Sequence, residues 1–242
     1  MASMAEQDYI IPPVRDSYVF PDPRSAPDEG LLAYGGDLSV DRLLAAYQKG
    51  IFPWYSKNDP ILWWSPNPRL VLYPKHFKVK KSFRRVLKSG RFTVTFDRNF
   101  ADVIHLCATT PREGQKDTWI VPQMRLAYLN LYRHGFAHSV EVYKKGRLVG
   151  GLYGVAMGKG FFGESMFSLV SDASKVALKA LSDVLGSKGY DFIDCQMKTD
   201  HLVSLGAQVI SRDRFLNELE SALQKPSDLG YWHHFFWEYN NG

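Results

Sequence analysis

The stretch RLVGGLYGVAMGKGFFGESMF, from Arg147 to Phe167, decides the fold. Its two halves, 147–157 and 161–167, are apolar and rich in β-branched and aromatic residues, which is typical of strands. Between them stands Gly158-Lys159-Gly160, a turn signal. We therefore predict an antiparallel hairpin at the centre of a sheet, and the other elements are placed around it.

The segments on either side of this hairpin predict a mixed sheet. Alternating apolar residues indicate strands, and apolar residues at helical spacing indicate helices. The predicted strands are 92–96, 138–144, 191–197 and one near Val209. The predicted helices are 100–107, 122–134, about 173–185 and 201–205. Helices segregated between a central hairpin and flanking strands favour a mixed α/β (α+β) fold over a doubly wound parallel sheet.

Upstream of this sheet the sequence predicts a small N-terminal domain, residues 1–69, followed by a larger domain, residues 70–242. The chain has 242 residues, which suits one ordinary domain and a smaller one. Five of its thirteen prolines stand in residues 1–30, which we interpret as an irregular leader. A helix is predicted from about Val40 to Gln48, and the aromatic, proline-rich residues 51–68 are interpreted as a packed loop.

Composition excludes several classes of protein. Hydrophobic residues make up 45% of the chain and charged residues 23%, so a disordered or low-complexity protein is excluded. No apolar run approaches the roughly 20 residues of a membrane span, and Glu6 and Asp8 stand where a signal peptide would be basic. We expect a cytoplasmic protein without membrane contact. Cys107 and Cys195 lie far apart with no CxxC, so neither a disulfide framework nor a metal site is expected.

One segment makes the protein basic. The formal net charge is +5, yet residues 75–91 contain eight Lys or Arg and no acid. Four of these cations fall on one side of a predicted helix that ends at Ser89 and Gly90, and we call them the basic stripe: Lys81, Arg84, Arg85 and Lys88. The ordinary interpretation is a solvated face. Without acids, however, the stripe repels itself, and a polyanion would relieve the repulsion, so we favour RNA or DNA as a partner.

Three familiar motifs do not fit their surroundings. Gly158-x-Gly160-x-x-Gly163 has the spelling of a dinucleotide fingerprint, but a strand follows it instead of a helix. Gly163 to Phe167 resembles a nucleophile elbow except at its last position, where the strained turn needs glycine. His134 and His138 have the spacing of metal ligands on a helix, but Gly135 interrupts the helix and no third ligand is evident.

The polar residues most suited to chemistry are on the strand that contains Asp194-Cys195-Gln196. Alternation along a strand puts Asp194 and Gln196 on one face. Asp194 can then fix the direction of the Gln196 amide, whose oxygen is left to accept a hydrogen from a substrate N–H. Glu164, on the hairpin, is expected in the same cleft. The alternative for each acid is a surface or capping role.

Ten short segments occur in one order from Phe20 to Ala207. They are FPDP (20–23), GLLAYGGDLS (30–39), GIFPWYS (50–56), DPILWWSPNPR (59–69), TWI (118–120), HSVEVY (138–143), GESMFS (163–168), ASK (173–175), FIDCQ (192–196) and HLVSLGA (201–207). Together they resemble the leucyl/phenylalanyl-tRNA–protein transferases. The resemblance implies a small N-terminal domain and a C-terminal domain similar to the GNAT acetyltransferase fold.

The resemblance also implies an activity. Such transferases move Leu, Phe or Met from aminoacyl-tRNA to the α-amino group of proteins that begin with Arg or Lys. This marks the protein for degradation by the N-end rule (N-degron) route. Aminoacyl-tRNA is a substrate, and the resemblance implies no cofactor and no metal.

Residue by residue, the resemblance assigns roles to positions of this chain. The catalytic pair corresponds to Asp194 and Gln196, and the acidic site residue to Glu164. Trp54 and Trp119 correspond to the aromatic positions around the terminal adenosine. The apolar pocket for the transferred side chain corresponds to Leu152, Phe161, Met166 and Leu181. The basic stripe suits the phosphates of the tRNA acceptor stem.

A local feature argues against acetyl-CoA as the acyl donor. Before the helix predicted from about residue 173, the stretch 168–174 has no glycine and carries Asp172, so a pyrophosphate would find neither close backbone amides nor a neutral field. Two other classes stay open at this stage. One is an aminoacyl-tRNA-dependent acyltransferase that extends cell-wall peptides, and the other is a non-catalytic RNA-binding module.

Overall fold

The structure is a computed structural model that describes residues 11–14, 19–111 and 120–239. Its α-helices are α1 (Val40–Tyr47), α2 (Lys81–Lys88), α3 (Phe100–Thr109), α4 (Pro122–Arg133), α5 (Ala173–Ser187), α6 (Asp200–Ser204) and α7 (Arg212–Leu223). Its strands are β1 (Leu31–Tyr34), β2 (Phe52–Pro53), β3 (Leu62–Trp64), β4 (Arg69–Leu72), β5 (Thr93–Phe96), β6 (Ala137–Lys144), β7 (Arg147–Met157), β8 (Gly160–Ser168), β9 (Phe192–Gln196) and β10 (Gln208–Ile210).

The predicted hairpin is β7 and β8, and it lies near the middle of a seven-stranded sheet. The strand order is β10-β4-β9-β8-β7-β6-β5, and only the β8–β9 pair is parallel. The turn between β7 and β8 requires Gly158, which has φ +54° and whose Cβ, if present, would lie 2.2 Å from the Ala222 carbonyl oxygen. The prediction of a mixed α/β fold is confirmed by this arrangement.

Helices cover both faces of the large sheet. On one side α3 and α4 pack against the hydrophobic cluster that includes Tyr153 and Phe162. On the other side α5 and α2 pack against the cluster that includes Leu152 and Phe161. Because neighbouring residues of a strand point to opposite faces, the hairpin contributes to both layers.

The interpretation of residues 51–68 as a loop is wrong in part. The segment contains β2 and β3, which form a small sheet with β1 in the order β1-β3-β2. Phe52 pairs with Trp64, and the buried Trp63 donates its indole N–H to the Gly35 carbonyl oxygen at 2.9 Å. Strands of two and three residues are too short to produce a periodic pattern, so pairing with distant residues decides them.

The sequence interpretation also missed β1, β4 and α7. Leu70, Val71 and Leu72 form a continuous apolar run, which is the pattern of a strand buried on both faces. The division of the chain at residues 69 and 70 stays a prediction, since buried residues from both sides of it belong to one hydrophobic cluster. Among the described residues, no helix has both the length and the apolar character needed to cross a membrane.

Candidate active site

A cavity of about 820 Å³ opens between the hairpin, β9, α5 and α6. Its lining includes eight of the site residues predicted from the sequence: Trp54, Leu152, Phe161, Glu164, Met166, Leu181, Asp194 and Gln196. These residues come from several strands and helices and from the segment after β2, so the fold brings distant parts of the chain together here. Trp119 lies outside the described residues.

Glu164 lies on the floor of this cavity and is held by three donors. The hydroxyls of Tyr47 and Tyr128 each lie 2.7 Å from one of its carboxylate oxygens, and the Gln196 side-chain N–H donates to Oε1 at 3.0 Å. Burial raises the pKa of Glu164 to about 7, and the negative charge of Asp194 acts in the same direction. The hydrogen bonds from Tyr128, Tyr47 and Gln196 favour the ionised form and oppose this rise in the pKa.

Asp194 is fully buried and binds Arg69. The Arg69 Nε and Nη2 atoms donate to its two oxygens at 2.9 Å and 2.6 Å, and the Arg69 side chain is 1% exposed. The guanidinium group also lies over the rings of Phe52 and Phe215, at 4.9 Å and 4.4 Å from their centroids. The Asp194 side chain is thus a buried structural anchor for β9 that faces β4.

The expected contact between Asp194 and the Gln196 side-chain amide is wrong. Asp194 Oδ1 instead accepts the backbone N–H of Gln196 at 2.9 Å, at a position where Gln196 has φ +60°. The side-chain amide is oriented by Glu164, because its NH₂ group donates to that carboxylate. The reason is geometric: the bent backbone at Gln196 turns its side chain toward β8. Among the hydrogen bonds of the described residues the Gln196 amide oxygen takes part in none, and its role as an acceptor for a substrate N–H stays a prediction.

We call the group formed by Arg69, Asp194, Gln196, Glu164, Tyr47 and Tyr128 the polar floor. Each member forms a hydrogen bond with another member, although Arg69 Nη1 is buried with no hydrogen-bond partner in the described part of the chain. The floor links β4, β9, β8, α1 and α4. Such a buried and hydrogen-bonded network holds its side chains in one geometry. The positions of the Glu164 and Gln196 polar atoms are therefore fixed before a substrate arrives.

An apolar pocket adjoins the polar floor. Leu152, Phe161 and Leu181 are buried, and Met166 is partly exposed to the cavity. The backbone of β7 comes close to the Phe161 ring because Gly154 has no side chain: a Cβ there would lie 2.5 Å from Phe161 Cε1. The four predicted pocket residues thus form one apolar wall next to Glu164 and Gln196.

Trp54 lies at the rim of the cavity. Its side chain is 36% exposed, and its ring meets Trp64 edge to face with 5.5 Å between centroids. The Trp64 indole N–H donates to the Trp54 carbonyl oxygen at 2.6 Å and fixes the backbone there. An exposed ring held in this way provides a stacking surface beside the cavity.

The basic stripe is on α2, with Phe83 and Leu87 buried and all four cations exposed. Among the described residues, none of these four cations forms an ion pair. Just beyond the helix, Arg91 lies 3.8 Å from Asp172, the residue that precedes α5. Ser174, in the first turn of α5, lines the cavity, so Arg91 contacts a residue two positions before one of the cavity lining.

The motifs rejected from the sequence are built into other structures. Gly158 and Gly160 flank the β7–β8 turn, and Gly163 to Phe167 lie within β8. His138 binds Asp97 at 2.8 Å and stacks on Trp232, while His134 contacts the Asn130 carbonyl oxygen. No cluster of three or more His, Cys, Asp or Glu residues suited to a metal ion occurs in the described part of the chain.

Comparison with known proteins identifies the relatives of this chain. A family model described as "Leucyl/phenylalanyl-tRNA protein transferase" matches residues 71–220, and a second, described as its N-terminal domain, matches residues 36–67. The chain belongs to the leucyl/phenylalanyl-tRNA–protein transferase family. The prediction from the ten sequence segments is thereby confirmed.

Several curated members of the leucyl/phenylalanyl-tRNA–protein transferase family match over nearly their whole length. The protein of that name from Lawsonia intracellularis is 55% identical over 86% of this chain and 91% of its own. The one from Syntrophobacter fumaroxidans is 57% identical over 84% of this chain and 87% of its own. The one from Nitrosomonas eutropha is 49% identical over 95% of this chain and 94% of its own.

Similar solved structures are distant. A functionally unknown protein from Staphylococcus epidermidis is 10% identical, covers 75% of this chain and 68% of its own, and has a TM-score of 0.42. A GCN5-related N-acetyltransferase from Kribbella flavida is 10% identical, covers 69% of this chain and 60% of its own, and has a TM-score of 0.34. At such scores the description of the fold rests on the strands and helices themselves.

Sequence reasoning missed three members of the polar floor in this family member. Tyr47 falls within the helix predicted from about Val40 to Gln48 but is not predicted as a site residue, and neither are Tyr128 and Arg69. The signal for Arg69 is a charge that directly precedes the apolar run of β4, because an arginine buried in such a strand needs a carboxylate partner. No pattern in the sequence pairs either tyrosine with Glu164.

Proposed function

We propose that this protein transfers Leu, Phe or Met from aminoacyl-tRNA to the α-amino group of proteins that begin with Arg or Lys. The product is a peptide bond that marks the acceptor for N-end rule degradation in the cytoplasm. The observation that carries the proposal is the adjacency, in one cavity, of the apolar pocket and the Glu164–Gln196 pair. An aminoacyl ester needs an apolar side-chain pocket and a polar group for the attacking amine at this short separation.

The apolar pocket supports the choice of donor. Leu152, Phe161, Met166 and Leu181 offer hydrocarbon and aromatic contacts to a side chain such as Leu, Phe or Met. The exposed face of Trp54 suits the unpaired terminal adenine of tRNA, which is recognised by stacking. Trp119 is proposed as its partner on the strength of the family resemblance alone.

The charged groups of the protein support the proposed acceptor and the proposed RNA substrate. Glu164 supplies a carboxyl group in the cavity, which suits a cationic N-terminus with a basic first side chain. The basic stripe suits acceptor-stem phosphates, whose contacts fix the position of an RNA without reading its bases. The two kinds of charge occupy different places, so the two substrates can bind together.

The reaction requires little chemical help. An aminoacyl ester is already activated, and deprotonating an α-amine with a pKa of about 8 costs only about 1.4 kcal/mol at pH 7. Holding two ends in attack geometry contributes about 7 to 11 kcal/mol. We therefore propose that positioning dominates and that no cofactor or metal takes part. Gln196 accepts a hydrogen bond from the attacking amine, Glu164 orients Gln196, and Asp194 acts as a positioning residue through the backbone.

The direct test uses radiolabelled Phe-tRNA and a pair of acceptor proteins that differ only in their first residue. An acceptor that begins with Arg gains the label, whereas the one that begins with Ala does not. Muropeptides serve as the acceptor for the cell-wall alternative. Label on muropeptides but not on the Arg acceptor contradicts the proposal, and tRNA binding with every acceptor unlabelled indicates an RNA-binding module.

A further inference from the structure

Three oxygen contacts in the polar floor form a closed ring. The Tyr47 and Tyr128 hydroxyl oxygens lie 2.6 Å apart. Tyr47 Oη lies 2.7 Å from Glu164 Oε1, and Tyr128 Oη lies 2.7 Å from Glu164 Oε2. Both tyrosine side chains are fully buried. Each of these separations is the length of an O–H···O hydrogen bond, and each such bond needs its own proton.

The two hydroxyl groups supply two protons for three contacts. If Glu164 is ionised and both hydroxyls donate to it, the 2.6 Å contact between the tyrosines has no proton. A proton on Glu164 completes the ring. Gln196 decides where that proton lies: because its side-chain N–H donates to Oε1, Oε1 is an acceptor and the proton is on Oε2. The bonds then run from Oε2 to Tyr128, from Tyr128 to Tyr47, and from Tyr47 to Oε1.

We propose that Tyr47 and Tyr128 are positioning residues that close this ring, so that Glu164 takes the proton the acceptor α-ammonium must lose before it attacks the aminoacyl ester. This inference rests on the proposed function. An N–H bond of the ammonium breaks and an O–H bond forms on Glu164, which leaves both groups neutral. The freed nitrogen electron pair forms the C–N bond, the bond from the ester carbon to the tRNA 3′ oxygen breaks, and that oxygen receives the second amine proton.

The surroundings of Glu164 suit this exchange. The groups that face the ring are Asp194 from β9, whose charge is paired with Arg69 from β4, and Tyr153 from β7, whose ring centroid lies 5.3 Å from that of Tyr128. Burial raises the pKa of Tyr47 and of Tyr128 well above 10, so both hydroxyls keep their protons. Glu164, with a pKa of about 7, is the member that titrates near neutral pH.

The first experiment is a pH profile of kcat/KM for an Arg-initiated peptide, measured in single turnovers with Phe-tRNA. A carboxylate acting on an ammonium gives a bell, with an acid limb near pH 7 from Glu164 and an alkaline limb near the amine pKa of about 8. In Glu164→Gln the amide N–H takes the place of the Oε2 proton, so the ring stays closed but cannot exchange a proton. We expect this variant to lose at least tenfold at pH 7. It should recover above pH 9, where the amine is already neutral and the amide, unlike the ionised Glu164 of the wild type, keeps the ring closed.

The second experiment removes one hydroxyl at a time, as Tyr47→Phe and Tyr128→Phe. Loss of either hydroxyl removes two neutral hydrogen bonds from the protonated ring and one charge-assisted hydrogen bond from the ionised carboxylate. The closed ring requires the two neutral bonds together to outweigh the charged one, so the inference predicts that the pKa of Glu164 falls. The acid limb moves to lower pH by roughly half to one unit, about the worth of one hydrogen bond. Tyr132→Phe is the matched control, since that hydroxyl is on the same helix as Tyr128 but donates to the Asp97 carbonyl oxygen, and its profile stays at the wild-type position.

Two results overturn the inference while leaving the proposed function intact. One is a wild-type profile in which kcat/KM rises as the amine loses its proton and then stays flat at high pH. The other is an acid limb that rises in Tyr47→Phe and Tyr128→Phe, because tyrosines that only donate to a carboxylate favour its ionised form. If wild-type protein labels no Arg-initiated acceptor at any pH, the proposed function itself fails.

Discussion

The polar floor and the basic stripe use charge in opposite ways. In the floor, Arg69 and Asp194 are 1% and 0% exposed and are bound to each other through two hydrogen bonds. In the stripe, the four cations of α2 are exposed and, within the described residues, have no acidic partner. A buried pair is little affected by salt and has one geometry, whereas exposed cations are mobile and screened.

The difference separates two tasks that one protein must perform on a large substrate. Positioning an ester and an amine needs groups fixed to within a fraction of an ångström, which buried hydrogen bonds provide. Attracting an RNA needs only unneutralised positive charge, which an exposed helix face provides. Substitutions in the polar floor are therefore expected to change stability and turnover. Substitutions in the basic stripe are expected to change the affinity for RNA and the dependence of that affinity on salt.

The largest effect is expected for Asp194→Ala, because it leaves Arg69 charged, buried and unpaired. We expect the free energy of unfolding, measured by urea denaturation, to fall by about 3 to 5 kcal/mol. The control is Asp191→Ala, which breaks the exposed pair with Lys225, whose side chains are 34% and 47% exposed, and costs about 0 to 1 kcal/mol. Equal losses in the two variants would mean that Asp194 and Arg69 are not desolvated.

A double substitution sharpens this test. Replacing Arg69 by Met and Asp194 by Leu together removes both charges and keeps apolar volume, so it should recover most of the stability that Asp194→Ala loses. If the double variant is as unstable as Asp194→Ala, packing rather than the unpaired charge explains the loss.

The next effect concerns turnover. Gln196→Ala removes the amide oxygen that we assign to the attacking amine, and we expect kcat to fall roughly 10²-fold while the Kd for tRNA is unchanged. Gln208→Ala removes another hydrogen-bonded amide, at 2.9 Å from His76 and outside the cavity lining, and leaves kcat at the wild-type value. A Gln196→Ala variant with wild-type kcat would exclude Gln196 from the reaction.

Sequence patterns predict the orientation of a side chain better than its partner. Alternation along a strand predicted that Asp194 and Gln196 share one face, and both line one cavity with Glu164. The two apolar runs on either side of a glycine turn predicted the β7–β8 hairpin. It could not predict that β4 lies next to β9, which brings Arg69 to Asp194 across 125 positions of the chain. That neighbour changes the role of Asp194 from orienting an amide side chain to holding a backbone.

The same limit explains the missed tyrosines. Tyr47 and Tyr128 have the spacing of core residues on α1 and α4, and their hydroxyls meet Glu164 only because both helices pack near β8. Local spacing records that a residue points inward. It carries no information on which polar atom lies there, since that depends on contacts between distant elements.

The apolar pocket is the next region to test. A substitution there is expected to have a smaller effect on the reaction than Gln196→Ala. Met166 is partly exposed to the cavity, so Met166→Trp fills space that we propose for the transferred side chain. We expect kcat/KM to fall more for Phe-tRNA than for Leu-tRNA, because a ring needs more volume. The change in the ratio of the two kcat/KM values should correspond to about 1 to 2 kcal/mol. An unchanged ratio of the two donors would mean that Met166 does not contact the transferred side chain.

The smallest effect per residue is expected in the basic stripe. The informative measurement there is how tRNA binding depends on salt, more than how far the affinity falls. Arg84→Ala combined with Arg85→Ala should weaken aminoacyl-tRNA binding and reduce the slope of log K against log salt by about 0.7 to 0.9 for each phosphate that α2 no longer neutralises. Arg214→Ala with Lys225→Ala is the control, because it changes net charge equally at cations that already have carboxylate partners.

If both double variants change the slope alike, only overall charge attracts the RNA. If neither changes it, the stripe is a solvated face. A slope reduced only in the α2 variant means that phosphates lie against this helix, while an unchanged kcat in the same variant keeps the attraction of RNA separate from the chemistry of the floor.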